Sequence, residues 1–403
     1  MELHIKKRIL LIVRACIRIL YDVLKLFPIK KGKIVFLSRQ ANKSSLDFQI
    51  LKQALELKNP YLKIVIITKR LDKSVVDIIK FLFASLHSLY HMATAEVCVL
   101  DSYWPMASLV NHRDSMTVIQ MWHAMGKIKK SGYQSLDKTY GRTTELAEAM
   151  CMHKGYDVVI AGGEAFNPYY CQSFGIDESC ILNIGLPRMD YLLLNENIVK
   201  ERVLARHPEF GERKVILYAP TFRKNEELSF CEIIKAFSET GYQLIIKPHP
   251  NQMILDEEMI EPYRFREYST ATILCTCDYL ITDYSAIAVE AAVLHKRTLY
   301  YVFDYEEYKE KNGLNLDLFQ EMPGCVFCEI DSIKEIVDKD AYDVNSLNKY
   351  CERYLPKTMC RATVELTKLI SDCIERGKHE GIRQSFVRKD EIGAAVDHED
   401  IAG

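Results

Sequence analysis

DYLITDYSAIAVEAAVL, residues 278–294, joins a short β-forming run at 279–282 to an apolar helical stretch at 285–294, with Asp283 and Ser285 in the turn between them. A strand that enters a helix across so short a turn is the repeating unit of a parallel sheet with helices on its faces. The same alternation recurs outward from it. Strands are expected over residues 214–219, 243–247 and 297–302, with a further helix over 227–240. Upstream, 34–38, 62–68, 96–101, 115–120 and 157–161 read as strands and 47–57 and 73–89 as helices. The fold class is therefore α/β, twice over.

With 403 residues the chain exceeds what one hydrophobic core usually supports, which agrees with two domains. Gly185, Pro187 and Pro208 punctuate a charged helical stretch and place the junction near residue 200. The expected division is a helix over 1–33, an N-terminal α/β domain over 34–200, a C-terminal α/β domain over 201–375 and a mobile polar tail over 376–403. Ligands of such a pair are expected in the cleft between the domains. Hydrophobic residues make up 48% and charged residues 27%, as in a globular protein. A net charge of −2 lacks the basic footprint of a nucleic-acid binder, so no nucleic-acid partner is expected.

Thirteen cysteines have no framework spacing and no cleavable signal peptide is read before them, so reduced thiols in a cytoplasmic compartment are expected. Cys325 and Cys328 form a CxxC without a second pair, too little for a structural zinc site. The one marked charge asymmetry lies at the N-terminus. Ile9, Val13, Cys16, Ile17, Leu20, Leu24 and Phe27 recur at helical steps, while Arg14, Arg18, Asp22 and Lys25 share another face. Arg14 and Arg18 interrupt the run too early for a membrane span, which needs about 20 mostly apolar residues. Lys6, Lys7 and Arg8 before it and Lys30, Lys31 and Lys33 after it fit an amphipathic helix lying on an anionic membrane surface. A helix packed on its own domain is the alternative.

Candidate reactive residues gather at strand ends, the ligand side of an open α/β sheet. In QMWHAMGKIKK, residues 120–130, His123 directly follows a strand, where an imidazole can act as general base on a hydroxyl; Trp122 and Lys127 flank it. In YAPTFR, 218–223, Pro220 stops the strand and delivers Thr221 and Arg223, whose guanidinium suits phosphate oxygens. IIKPHP, 245–250, sets Lys247 and His249 between prolines that fix the backbone. Free N–H groups at the helix start after 282 could hold a diphosphate together with Ser285, although capping alone accounts for Asp283 and Ser285. GLPRMD, 185–190, could bring Arg188 to the cleft or be a plain turn. No Gly-rich nucleotide loop and no HExxH is present.

Taken in order, QMWHAMGKIKKSGY, GLPRMD, YAPTFR, IIKPHP and ITDYSAIAVEAAVLHKRTLYYVFDYEEY, spanning residues 120 to 308, resemble the CDP-glycerol glycerophosphotransferase family of bacterial teichoic acid synthesis. The resemblance implies two Rossmann-like domains facing a cleft, of the glycosyltransferase B type, with CDP-glycerol bound mainly by the second and the acceptor approaching from the first. It places catalytic importance on His123 and His249. Where many relatives have Gly after the WH pair this chain has Ala124, which would be strained if the backbone there needs positive φ.

The reaction so implied is attack of an acceptor hydroxyl on the β-phosphorus of CDP-glycerol, releasing CMP, at the cytoplasmic face of the membrane on an undecaprenyl-linked saccharide. His123 is the expected base. His249, Arg223, Thr221, Lys247 and Ser285 would hold the diphosphate, and Asp283 and Glu290 would contact cytidine or glycerol hydroxyls. No cofactor and no resident metal are expected, with free Mg²⁺ at most stimulatory, because no carboxylate cluster suited to a divalent cation is legible. A homo-oligomer is compatible with the sequence. Ribitol phosphate from CDP-ribitol, a nucleotide-sugar glycosyltransferase of the same architecture and a non-catalytic glycan-binding relative are the competing readings. The chain lacks a large extra N-terminal region, which favours a priming or short-chain role.

Overall fold

A computed structural model of the chain describes residues 2–72, 74–238 and 241–399. It divides into two compact units, the first comprising Met1–Met125, Ser131–Asp190 and Pro356–Gly403 and the second Gly126–Lys130 and Tyr191–Leu355. The expected boundaries at 200/201 and 375/376 are thereby corrected. The chain passes to the second unit inside the helix Pro187–Arg206, and the segment from Pro356 returns to the first.

The first unit holds a parallel sheet of β1 (Lys33–Ser38), β2 (Lys63–Thr68), β3 (Val97–Leu100), β4 (Thr117–Gln120), β5 (Val158–Ala161) and β6 (Ile181–Asn183), in the order β2-β1-β3-β4-β5-β6. KIVFLS and VCVL are buried along their whole length, as strands covered on both faces require. Helices start where short polar side chains can cap them: Ser45 accepts from the Phe48 N–H before Leu46–Lys58, and Ser74 from that of Asp77 before Val75–Ala93. Phe36 packs on Phe48 at 4.9 Å, and Trp104, fully buried, donates to Ser88 Oγ at 2.9 Å. β1 pairs with β2 on one side and β3 on the other, so the winding reverses between β1 and β3.

The second unit repeats the theme with β7 (Lys214–Tyr218), β8 (Glu227–Leu228), β9 (Tyr242–Ile246), β10 (Met253–Ile254), β11 (Tyr279–Thr282), β12 (Arg297–Tyr301) and β13 (Val326–Phe327). Its five-stranded parallel sheet runs β13-β12-β11-β7-β9, reversing between β7 and β11, while β8 and β10 form a separate pair. β6, β8, β10 and β13 are too short to leave a sequence signature. The helix expected over 227–240 is confined to Cys231–Phe237 because β8 takes its first residues; Thr240 lies outside the described residues.

The N-terminal helix, Glu2–Leu24, packs on the helices Val75–Ala93, Pro105–Leu109 and Thr144–Ala149. It does so with Arg14, Arg18, Lys25 and the buried Tyr21. Arg18 Nε donates to the Leu109 carbonyl at 2.8 Å, Arg14 to that of Ala149 at 3.3 Å and Lys25 to that of Asn111 at 3.2 Å. Ile9, Ile12, Val13, Ile19, Leu20 and Val23 therefore face outward, and Ile19 is 65% exposed. The stretch after residue 376, expected as a mobile tail, is instead helical over Lys378–Glu399 and packs on the helix Ala362–Arg376. Ser385 is buried and Arg388 pairs with Asp372 at 2.7 Å, so polar residues make the contact and no apolar period announces it. The Asp190 carboxylate accepts the Thr363 N–H at 2.7 Å, satisfying a donor at the start of Ala362–Arg376.

Candidate active site

In the first unit the site is built at the carboxyl ends of β1, β3 and β4. Gln120, buried at the end of β4, accepts the Trp122 N–H through Oε1 at 2.9 Å. Trp122 adopts φ 59°, a left-handed conformation that bulky side chains rarely take and that costs of order 1–3 kcal/mol. The strained residue is thus Trp122. Ala124, where strain was expected, has no positive φ. Trp122 lies against Phe174 at 5.0 Å and against His123 at 4.3 Å, and the turn leaves the His123 imidazole exposed.

His123 Nδ1 lies 3.2 Å from the Asp101 carbonyl oxygen and 2.8 Å from the Gln40 amide. A carbonyl can only accept, so the contact with Asp101 requires the proton on Nδ1. Rotating the Gln40 amide, whose O and N are nearly isosteric, lets both groups accept from it. Nε2 is then the basic nitrogen. Beneath it, Arg188 donates to the His123 carbonyl at 3.0 Å and forms an ion pair with Asp47, whose carboxylate also accepts the Arg188 N–H at 2.8 Å. The cleft-lining role expected of Arg188 is corrected: its guanidinium braces the loop of His123. Asp101 is buried, its pKa is pushed up to about 6 by burial, and its Oδ1 has no hydrogen-bond partner.

In the second unit the expected residues follow β7, β9 and β11. The Asp283 carboxylate accepts the N–H groups of Thr221 at 2.8 Å and Tyr284 at 2.7 Å, and pairs with Arg223 at 2.8 Å. Arg223 also grips Asp304 through Nε at 2.6 Å and Nη2 at 2.9 Å. Burial acts to lower its pKa, and the Asp283 and Asp304 carboxylates outweigh that and raise it. Arg223, 2% exposed, is therefore a strut joining the loops after β7, β11 and β12, which corrects the phosphate-gripping role expected of it. Asp283 is spent in the same network. Lys247 donates to the carbonyls of Arg264, Phe265 and Tyr268 at 2.6–2.8 Å, and burial lowers its pKa; it too is structural. Lys127 is buried and desolvation holds its pKa well below the usual lysine range, so it does not line an open surface.

His249 is exposed, with its ring 5.0 Å from that of Phe222. Its Nδ1 accepts the Asn251 N–H at 3.2 Å, so the neutral ring carries its proton on Nε2, the reverse of His123. Thr221 Oγ1 is buried without a hydrogen-bond partner at the β7/β11 reversal. Ser285 is half-buried; its Oγ lies 3.5 Å from the Ile287 N, and the helix Ile287–Val293 that carries half-buried Glu290 starts from Ala286.

Sequence reasoning missed Gln40, Asp47, Asp101 and Asp304. Asp101 and Asp304 each follow a strand closely, a position that could have drawn notice; Gln40 and Asp47 carry no local signal. Among the described residues no group of three or more His, Cys, Asp or Glu could hold a metal ion, and all thirteen cysteines are free thiols.

Comparison with known proteins adds three findings. The sequence profile of the CDP-Glycerol:Poly(glycerophosphate) glycerophosphotransferase family matches residues 19–372. A teichoic acid ribitol-phosphate primase of Bacillus spizizenii is 26% identical over 366 residues, 87% of this chain and 94% of the relative, and a teichoic acid glycerol-phosphate primase of Bacillus subtilis is 29% identical over 272 residues, 65% and 68%. The solved structure of the wall teichoic acid polymerase TagF, in one variant, superposes with a TM-score of 0.71 at 19% identity, covering 93% of this chain and 98% of that one, which shows a shared fold.

Proposed function

The chain belongs to the CDP-glycerol:poly(glycerophosphate) glycerophosphotransferase family, whose members include teichoic acid primases and polymerases, and from that premise we propose that it transfers glycerol phosphate from CDP-glycerol to a lipid-linked acceptor, releasing CMP. The observation that carries the reading is the exposure of two imidazoles just beyond strand ends, His123 after β4 and His249 after β9, with contacts that fit opposite tautomers. His123 Nε2 takes the proton of the attacking hydroxyl as its oxygen bonds the β-phosphorus. The bond from that phosphorus to the CMP oxygen breaks, and His249 Nε2–H donates to the departing phosphate. Thr221 Oγ1 and Ser285 hold donor oxygens. Charge on the diphosphate is offset by protein donors, with free Mg²⁺ at most stimulatory; complete loss of turnover in chelator, restored by Mg²⁺, would contradict this.

Attachment to the face of an anionic membrane is part of the proposal. Among the described residues no helix is long and apolar enough to cross a membrane. Support comes from the outward apolar face of Glu2–Leu24, continued on Val75–Ala93 by Val75, Val76, Ile79, Leu82 and Phe83, the last 70% exposed. Arg8, Lys31 and Lys80 are exposed alongside.

A second reading, ribitol phosphate from CDP-ribitol, is favoured by the match to a ribitol-phosphate primase over 94% of its length. Offering CDP-glycerol and CDP-ribitol separately with a lipid-linked disaccharide, and measuring CMP release and product length, separates the two and distinguishes priming from polymerisation. His123→Ala should cut turnover by about 10²–10⁴-fold at an unchanged melting temperature. Release from neither donor by the purified chain would end the proposal.

A further inference from the structure

The winding of the first sheet reverses between β1 and β3, and an open α/β sheet offers its ligand crevice at such a reversal, outside the carboxyl ends of the strands. Arg39 follows β1 directly and Tyr103 lies just beyond β3. The Arg39 N–H donates to Ser102 Oγ at 2.9 Å, tying the two loops together. Two guanidinium groups converge on the Tyr103 ring, Arg39 at 5.7 Å and Arg142 at 5.2 Å from its centroid. Neither guanidinium makes a hydrogen bond or an ion pair among the described residues, and both residues are half-buried.

This is an unusual way to leave two cations. Burial lowers the pKa of Arg39, Arg142 lowers it further, and only the Tyr103 and Tyr156 phenols oppose them; no carboxylate takes part. Tyr103 is itself buried with its hydroxyl spent on the Met150 carbonyl at 3.1 Å. Arg142 is held on a closed loop: the Asp137 N–H donates to the Arg142 carbonyl at 2.8 Å, and a side chain at Gly141 would meet the Ser135 carbonyl at 1.6 Å. The Asp137 carboxylate, which could have neutralised Arg142, accepts instead from the Thr144 N–H and hydroxyl. A pair of partly desolvated guanidiniums is complementary to an oxyanion with two or more acceptor oxygens.

Gln40, the next residue after Arg39, contacts His123 Nδ1 at 2.8 Å. The loop after β1 thus carries one member of the cation pair and, at the next residue, a contact to the imidazole assigned as base. We propose that Arg39 and Arg142 clamp a phosphoryl group of the acceptor and so present its hydroxyl to His123. The inference rests on the transfer reading above and adds to it the subsite and the chemistry recognised there. That group is either the diphosphate next to the lipid or the terminal phosphate of a polyol-phosphate chain.

The test uses the full chain, wild type against Arg39→Gln/Arg142→Gln and Arg39→Lys/Arg142→Lys, in titration calorimetry with farnesyl diphosphate against farnesol and with sn-glycerol 3-phosphate against glycerol. Wild type should bind a phosphorylated probe more tightly than its alcohol, and the Gln pair should lose at least about tenfold on that probe alone. The probe that responds identifies the source. The Lys pair should keep part of the affinity, and the Gln pair should melt at the wild-type temperature or above it, because like-charge repulsion is relieved. Equal binding of the phosphorylated probe by wild type and the Gln pair overturns the clamp, as does a wild type that prefers neither phosphorylated probe. A lower melting temperature with losses on phosphorylated and alcohol probes alike also overturns it, showing a structural role. If the contrast holds while wild type releases no CMP from CDP-glycerol or CDP-ribitol, the clamp stands and the transfer reading falls. Release of CMP by the Gln pair at the wild-type acceptor KM removes the clamp alone.

Discussion

Arg223 and Asp101 are two buried ionisable residues with opposite fates. Arg223 has a carboxylate on each side, Asp283 and Asp304, and four of its five N–H donors are taken up within the protein. Removing it leaves those carboxylates without their cation, so Arg223→Gln should destabilise the second unit by about 3–5 kcal/mol in urea unfolding. A mere phosphate-binding arginine would leave stability unchanged. Asp101 has Oδ1 unpartnered, and burial raises its pKa from 3.8 to about 6. The folded chain keeps this proton where the unfolded chain has released it, so stability falls as pH rises through that interval and the penalty is complete above it. Asp101→Asn should therefore stabilise the protein by about 1–3 kcal/mol at pH 8 and leave it unchanged at pH 4, read from urea midpoints at the two pH values.

Among the elements, the helix Glu2–Leu24 shows how a correct periodicity can leave the orientation open. Arg14 and Arg18 meet the protein, where backbone carbonyls at the ends of Pro105–Leu109 and Thr144–Ala149 accept from them, while the expected apolar stripe is split, Ile9, Val13 and Leu20 exposed and Ile17 and Leu24 half-buried. The exposed apolar residues are left for another medium. Ile12→Asp/Ile19→Asp should keep the fold, since both side chains are exposed, and should reduce co-sedimentation with phosphatidylglycerol vesicles at least about tenfold. Unchanged sedimentation would remove this helix from the membrane contact. The helix Ile287–Val293 differs in kind: its start is where the sequence suggests, yet Asp283 before it is occupied by Arg223 and two backbone N–H groups.

For the whole molecule, the first unit is assembled from three separate segments of chain. Helix Ala362–Arg376 packs on Leu46–Lys58, whose Phe48, Leu51 and Leu55 are fully buried, and contributes fully buried Leu366, Leu369 and Ile370. A chain ended after Leu355 should lose hydrogen-exchange protection in β1 and β3 while β7 and β11 keep theirs. Loss confined to the last helices would show that the returning segment is dispensable.

The longer strands, the turn into Ile287–Val293 and the position of His123 and His249 beyond strand ends were legible because they rest on local patterns, apolar runs of strand length and prolines that stop them. The occupation of Arg223, Lys247 and Arg188 was not. Arg223 meets partners 60 and 81 residues away and Arg188 meets Asp47 across 141, and nothing local records which loops are brought alongside. The sequence alone determined two parallel α/β units and the residue types at their strand ends. Tertiary structure decided which cations are neutralised and which, like Arg39 and Arg142, keep their charge for a ligand, because pairing depends on the spatial meeting of distant segments.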